Sequence, residues 1–139
     1  MIRFDERGSA SIEAAIVGPA VVLLILLVVF GGRVALAHQT VQAIAADAAR
    51  AASLARSHTD ARHAAEAAAN AGFDQQLPCA NHTLDLDLAG FDKPAGTPAS
   101  VSATVTCHIA SGDLGLPGLP ELAITSTMSS PVDTYRERR

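Results

Sequence analysis

The sequence predicts an α+β fold built on a membrane-crossing helix, and three observations carry the prediction. From Ala14 to Gly32 the chain has no charged residue. From Val34 to about Ser57, alanines and larger aliphatics recur at helical spacing. From Thr83 onward the period becomes alternation in three separate stretches, weakest in the third. Together they predict a long N-terminal transmembrane helix continuing into an amphipathic helix, packed on a small three-stranded antiparallel sheet.

The apolar run sets the layout. Its nineteen positions span ~28 Å as a helix, close to the ~30 Å hydrocarbon core of a bilayer. Glu13 bounds it on one side and Arg33 on the other. Arg3 and Arg7 in the short leader favour a cytoplasmic N-terminus, which places the C-terminal part across the membrane. A carboxylate near the bilayer centre costs ~2.5–3.5 kcal/mol on insertion scales and less at the interface. Glu13 therefore reads either as a marker of the headgroup boundary or as the partner of a cation inside an assembly. A cut after Gly8 would create such a cation, the ammonium of Ser9, about one helical turn from Glu13.

Three further features lie in or beside the run. Gly18-Pro19 removes one backbone donor and reads as a tolerated kink or as a point where the helix can bend. Ala10, Ala14 and Gly18 lie four apart, and small residues on one face let helices approach closely. Ala35-Leu36-Ala37 is a small-x-small site; cleavage after Ala37 would leave a secreted module starting at His38. The run is longer than the 7–15 residues of a usual signal core, and Arg33 intervenes.

Beyond Arg33 the helix continues. Val41, Ile44, Ala45, Ala48, Ala52 and Ala55 form a stripe, with Gln42, Asp47, Arg50 and Ser53 largely off it. Alanine permits close packing but buries little area. Ser57-His58-Thr59-Asp60 breaks the pattern. Either Ser57 or Thr59 caps a second helix that runs to about Asn70-Ala71 and stops at Gly72, or one long helix runs through. Arg62 and Glu66 are spaced for an i,i+4 pair on the exposed side.

Phe73 to Asn81 reads as a turn containing Pro78 and Cys79. Strands are expected at Thr83–Leu88, Val101–Ile109 and Leu122–Ser129, joined by Gly- and Pro-rich loops. An antiparallel meander places the start of the first strand beside the end of the second. That brings Cys79 near Cys107, and a disulfide there would contribute roughly 3.5 kcal/mol in the chain-entropy model. Three short strands need a cover, and the amphipathic helix is the available one. The chain thus divides into a leader (1–8), a transmembrane helix (9–33) and an Ala-rich helix or helix pair (34–72). A disulfide-linked β domain (79–130) and a flexible tail (131–139) follow.

Composition narrows the function. At 139 residues there is room for one small domain besides the apolar segment. Aromatics make up 4%, there is no Trp, and the formal charge is −4 with no basic stripe, which argues against nucleic-acid binding. His38, His58, His63, His82 and His108 are scattered, and neither cysteine has a C-x-x-C partner, so no metal site is expected. Asp85 and Asp87 share a strand face and read as solvated. No phosphate-binding loop or nucleophile elbow is present. An enzyme is not expected, and neither is a cofactor.

Gly8, then four small or apolar residues, then Glu13 and a long apolar helix resembles the processing site of type IV prepilins. Arg7-Gly8-Ser9-Ala10-Ser11-Ile12-Glu13, with Gly18-Pro19 following, is similar to the N-terminal signature of the TadE-like minor pilins, or pseudopilins, of the tight-adherence (Tad/Flp) pilus. The Ala-rich continuation and the weakly patterned C-terminal part look alike too. Family members often carry an aromatic after the Glu, where this chain has Ala14. The resemblance implies cleavage after Gly8 by a prepilin peptidase and a register role for Glu13. It also implies helix packing through the small face and a structural part in pilus assembly and adhesion. Implied partners are other pilin or pseudopilin subunits, the inner-membrane assembly platform and membrane lipid. The chain would be a single-pass cell-membrane protein with its C-terminal domain outside the cytoplasm, within the surface pilus or assisting its assembly. An uncleaved membrane-anchored scaffold or binding protein, and the secreted module cut after Ala37, are the alternatives.

Overall fold

A computed structural model describes residues 7–76, 79–110, 112–113, 118 and 120–135, with the side chains of residues 7–13 and Gln76 left aside. Leader residues 1–6, Pro78 and the tail from Arg136 lie outside the described residues. In chain order the elements are α1 (Arg7–Leu54), α2 (His58–Gln76), β1 (Asn81–Asp87), a 3-10 turn (Ala89–Asp92), β2 (Ala99–Ile109) and β3 (Leu122–Val132). The strands form one antiparallel sheet in the order β1-β2-β3. The α+β architecture expected from the change of period is present.

The helical region is a hairpin broken at Ala55–Ser57, which decides between the one-helix and two-helix readings. Ser57 is the cap: its Oγ accepts the Asp60 backbone N–H at 3.1 Å and donates to Asp60 Oδ2 at 2.8 Å. The hydroxyl thus satisfies one of the free amides of the first turn, as an N-cap serine does. Arg62 and Glu66 are both exposed in α2, and among the described residues they do not pair.

Gly72 does not stop the second helix. α2 runs on to Gln76, because Gly72 faces α1 rather than a turn. A Cβ built there would stand 2.7 Å from Ile44 Cγ1, so the glycine permits close approach of two helices. Phe73 likewise belongs to α2 and the core instead of the expected turn. It is buried and stacks on His82 of β1, with ring centroids 4.2 Å apart.

The hairpin covers one face of the sheet. α1 packs on α2, β3 and β2, while α2 reaches β1 through the Phe73–His82 stack. Val101, Ala103, Val105, Cys107 and Ile109 point inward from β2, and Ile124 and Val132 from β3. The outer face is polar. Directly opposed threonines join there, Thr104 with Thr127 at 2.8 Å and Thr106 with Thr125 at 2.9 Å between hydroxyls.

Strand ends differ from expectation by up to three residues, outward everywhere except at the end of β1, which stops one residue short of Leu88. β1 starts at Asn81 and ends at Asp87, β2 starts at Ala99, and β3 runs through Pro131 and Val132. Pairing with Ala99 and Ser100 extends β3, and its position at the sheet edge tolerates the missing N–H of Pro131. The first two residues of the expected tail are therefore strand, and Val132 is core. Gly90, in the 3-10 turn, lies so close to β2 that a Cβ would overlap the Ser100 carbonyl oxygen.

Three contacts give the direction of the sheet. Arg33 Nη1 donates to the Asp113 carbonyl at 3.5 Å, Gln42 Nε2 lies 3.9 Å from Met128 Sδ, and Ser130 Oγ donates to Ser53 Oγ at 2.9 Å. β3 therefore climbs alongside α1. Asp113, between β2 and β3, lies beside Arg33, and residues 131–135 lie beside Ser53 and Leu54.

Candidate functional site

The candidate site is the N-terminal half of α1. The helix is 48 residues long and continues through Pro19. From Ala14 to Val29 every residue is exposed, including Leu23 and Val28, each at 67%. These side chains are large and aliphatic, and a bare stripe of this size on all sides of a helix is a surface for lipid or for other helices. Among the described residues one helix is long and apolar enough to cross a membrane, and it suggests a membrane anchor.

The helix backbone includes Gly8, Ser9, Ala10 and Glu13; their side chains lie outside the described residues. Ala14 and Gly18 are exposed, and a Cβ at Gly18 would meet nothing. The small face is thus open along its described part.

Burial begins within the apolar run. Phe30 and Val34 are half-buried and pack on the core, and Ala37 and Val41 are fully covered. From there α1 is buried more widely than a single stripe predicts. Ala49 joins Ile44, Ala45, Ala48 and Ala52, because α2 and the sheet flank the helix. Ser53, expected off the stripe, is buried as well. Its hydroxyl donates to the Arg50 carbonyl at 2.8 Å and accepts from Ser130, which satisfies it. Neither Phe30 nor Ser53 could be read from periodicity, since both depend on where the sheet lies.

At the Arg33 end of the sheet, Cys79 and Cys107 form a disulfide with Cα atoms 5.6 Å apart. The register that brings them together pairs His82 with Cys107, and the Ala80 N–H reaches the His108 carbonyl at 2.9 Å.

The polar groups are dispersed. His58 Nε2 lies 3.0 Å from Asp92 Oδ1, and its ring packs against Phe91. His108 Nδ1 lies 3.8 Å from Glu121 Oε2. His38 and His63 are exposed on the helices. Asp85 and Asp87 are exposed on β1, and Asp87 Oδ1 accepts the Ala89 N–H at 3.0 Å. Among the described residues no three His, Cys, Asp or Glu side chains gather where an ion could be held. An open cleft at the far end is lined by Ser53, Leu54 and residues 131–135.

No curated protein and no solved structure matches the chain. The model of the family described as TadE-like protein matches residues 8–50, which span the bare apolar half of α1 and most of its buried half. Over that segment the chain is similar to TadE-like proteins, and the likeness suggests a protein associated with the Tad pilus.

Proposed function

We propose that this chain is a prepilin-like structural subunit of a Tad-type pilus and secretion system, matured by cleavage after Gly8 and supporting pilus assembly and adhesion. The observation that carries the reading is the bare helix from Ala14 to Val29, continuous with Gly8–Glu13 and inside the TadE-like match. A surface this apolar needs lipid before assembly and other helices after it. Gly8 leaves room for backbone approach in a peptidase site. Cleavage there creates the Ser9 ammonium, and Glu13 neutralises it on its own chain or on a neighbour's. The small residues Ala10, Ala14 and Gly18 supply the packing face. The partners on this reading are a prepilin peptidase, other pilin or pseudopilin subunits, the inner-membrane assembly platform and membrane lipid. The sheet domain lies outside the cytoplasm, and the role is structural, without a catalytic step of its own.

The position of Ala37 weighs against the secreted-module alternative. It is buried in the middle of α1, and a cut after it would remove Phe30, Val34 and Ala37 from the packed face.

The test is the intact mass of the mature protein from native membranes with the peptidase present. A start at Ser9, lost in Gly8→Ala, is expected. A start at Met1 beside a correctly processed control prepilin would overturn the reading and leave an uncleaved anchor. A start at His38 would make the chain a secreted module.

A further inference from the structure

We infer that the sheet domain rests directly on the bilayer, with the β2–β3 end of the sheet in the headgroup layer and no stalk between domain and membrane. The inference depends on the membrane-anchor reading and adds to it a second lipid-facing surface, at Asp113 and Pro120–Glu121.

The first support is a length. Between the charge at Glu13 and the first residue packed on the domain, the uncharged stretch from Ala14 to Val29 is sixteen residues and supplies about 24 Å of helix at ~1.5 Å per residue. A hydrocarbon core of ~30 Å needs about 20 residues. The missing turn is Phe30–Arg33, which ends at the first charge after the run. Phe30 already packs on the core of the domain. The helix therefore reaches the membrane boundary only at a level where the domain is alongside it.

The second support is the orientation of the sheet. Asp113, at the foot of the β2–β3 connection, accepts a hydrogen bond from Arg33 through its carbonyl. The boundary arginine and this connection thus share one level. Asp113, Pro120 and Glu121 are all exposed. Arg33 is also exposed, and its guanidinium, with donors beyond the one used on Asp113, suits lipid phosphate. Lys93, Gly96 and Tyr135 lie at the opposite end. There the Gly96 N–H donates to the Thr134 carbonyl at 2.7 Å, about 30 Å up the length of β3 by its rise per residue.

The experiment uses the full chain in vesicles of phosphatidylcholine and phosphatidylglycerol. Both native cysteines are in the disulfide, so an introduced cysteine carries the only thiol. Nitroxide labels at Leu24→Cys, Asp113→Cys, Glu121→Cys and Tyr135→Cys are compared by their accessibility to oxygen and to a water-soluble nickel chelate. The Leu24 label should be oxygen-rich and chelate-poor. The Asp113 and Glu121 labels should meet the chelate several-fold less than the Tyr135 label, at headgroup depth. If the Leu24 label is deep but Asp113 and Glu121 are as water-exposed as Tyr135, the domain stands off the membrane and the inference is overturned alone. If the Leu24 label is itself water-exposed, the anchor reading fails and takes this inference with it.

Discussion

The two halves of α1 are one unbroken helix in opposite surroundings. Residues 14–29 are bare on every side, while residues 34–54 are buried on two, against α2 and against the sheet. The composition changes to match. The bare half is mostly Leu, Val and Ile, side chains that suit a hydrocarbon environment. The buried half is mostly Ala with Val41 and Ile44, which lets α2 and the sheet come close. Large aliphatics mark the bare surface here, and small residues mark the packed one. The usual equation of bulky hydrophobic residues with the folded interior is reversed along a single helix.

The sharpest test of that contrast is a pair of truncations. Ile44→Ala should cost the domain about 2–5 kcal/mol, since it empties a site with no room to collapse. Leu24→Ala, in the bare half, should leave domain unfolding unchanged. Thermal or denaturant unfolding in detergent, followed by circular dichroism, reads both. Equal effects would mean that the bare half also packs on the domain.

The disulfide tests the lower end of the buried half. Cys79→Ser with Cys107→Ser should lower domain stability by roughly 3.5 kcal/mol without releasing the chain from membranes, as read by unfolding and by carbonate extraction. A charge in the bare half should do the reverse. Leu24→Lys adds ~2.5–3.5 kcal/mol to membrane insertion, so the carbonate-resistant fraction should fall while the domain melts as before.

Smaller effects sharpen the helix–helix contact. Gly72→Ala places a Cβ against Ile44 and should cost about 1–3 kcal/mol through overpacking, less the helix-propensity gain of ~1 kcal/mol. Combining it with Ile44→Ala, which removes Cγ1, should cost less than the sum of the two single changes, a coupling measurable by a double-mutant cycle. Ser57→Ala removes the cap of α2 and should cost about 1 kcal/mol. The melting shift should be small, with earlier amide exchange in the first turn of α2.

Much of this was readable from residues alone. The uncharged run bounded by Glu13 and Arg33 and the change of period near Thr83 rest on local spacing, and the facing of Cys79 and Cys107 follows from pairing the first two strands as a meander. Gly72 and Phe73 were misread for one reason. A glycine followed by an aromatic and an acidic residue resembles a helix end, and only the nearness of Ile44 and His82 shows that both positions face packed neighbours. Ser53 looked like a surface serine until Ser130 was placed beside it.

By itself, then, the sequence determined the class of each segment: a span of membrane length, an alanine-rich helical stretch whose break near Ser57 stayed open, and three alternating strands. Hydropathy and periodicity are local, and the backbone obeys them wherever the segment lands. Tertiary structure alone decided which surfaces meet. It set the width of burial on α1, the glycine contact between the helices, the extension of β3 through Val132 and the level of Phe30 against the sheet. These depend on distances between residues far apart in the chain, set by how closely the helices and the sheet can pack.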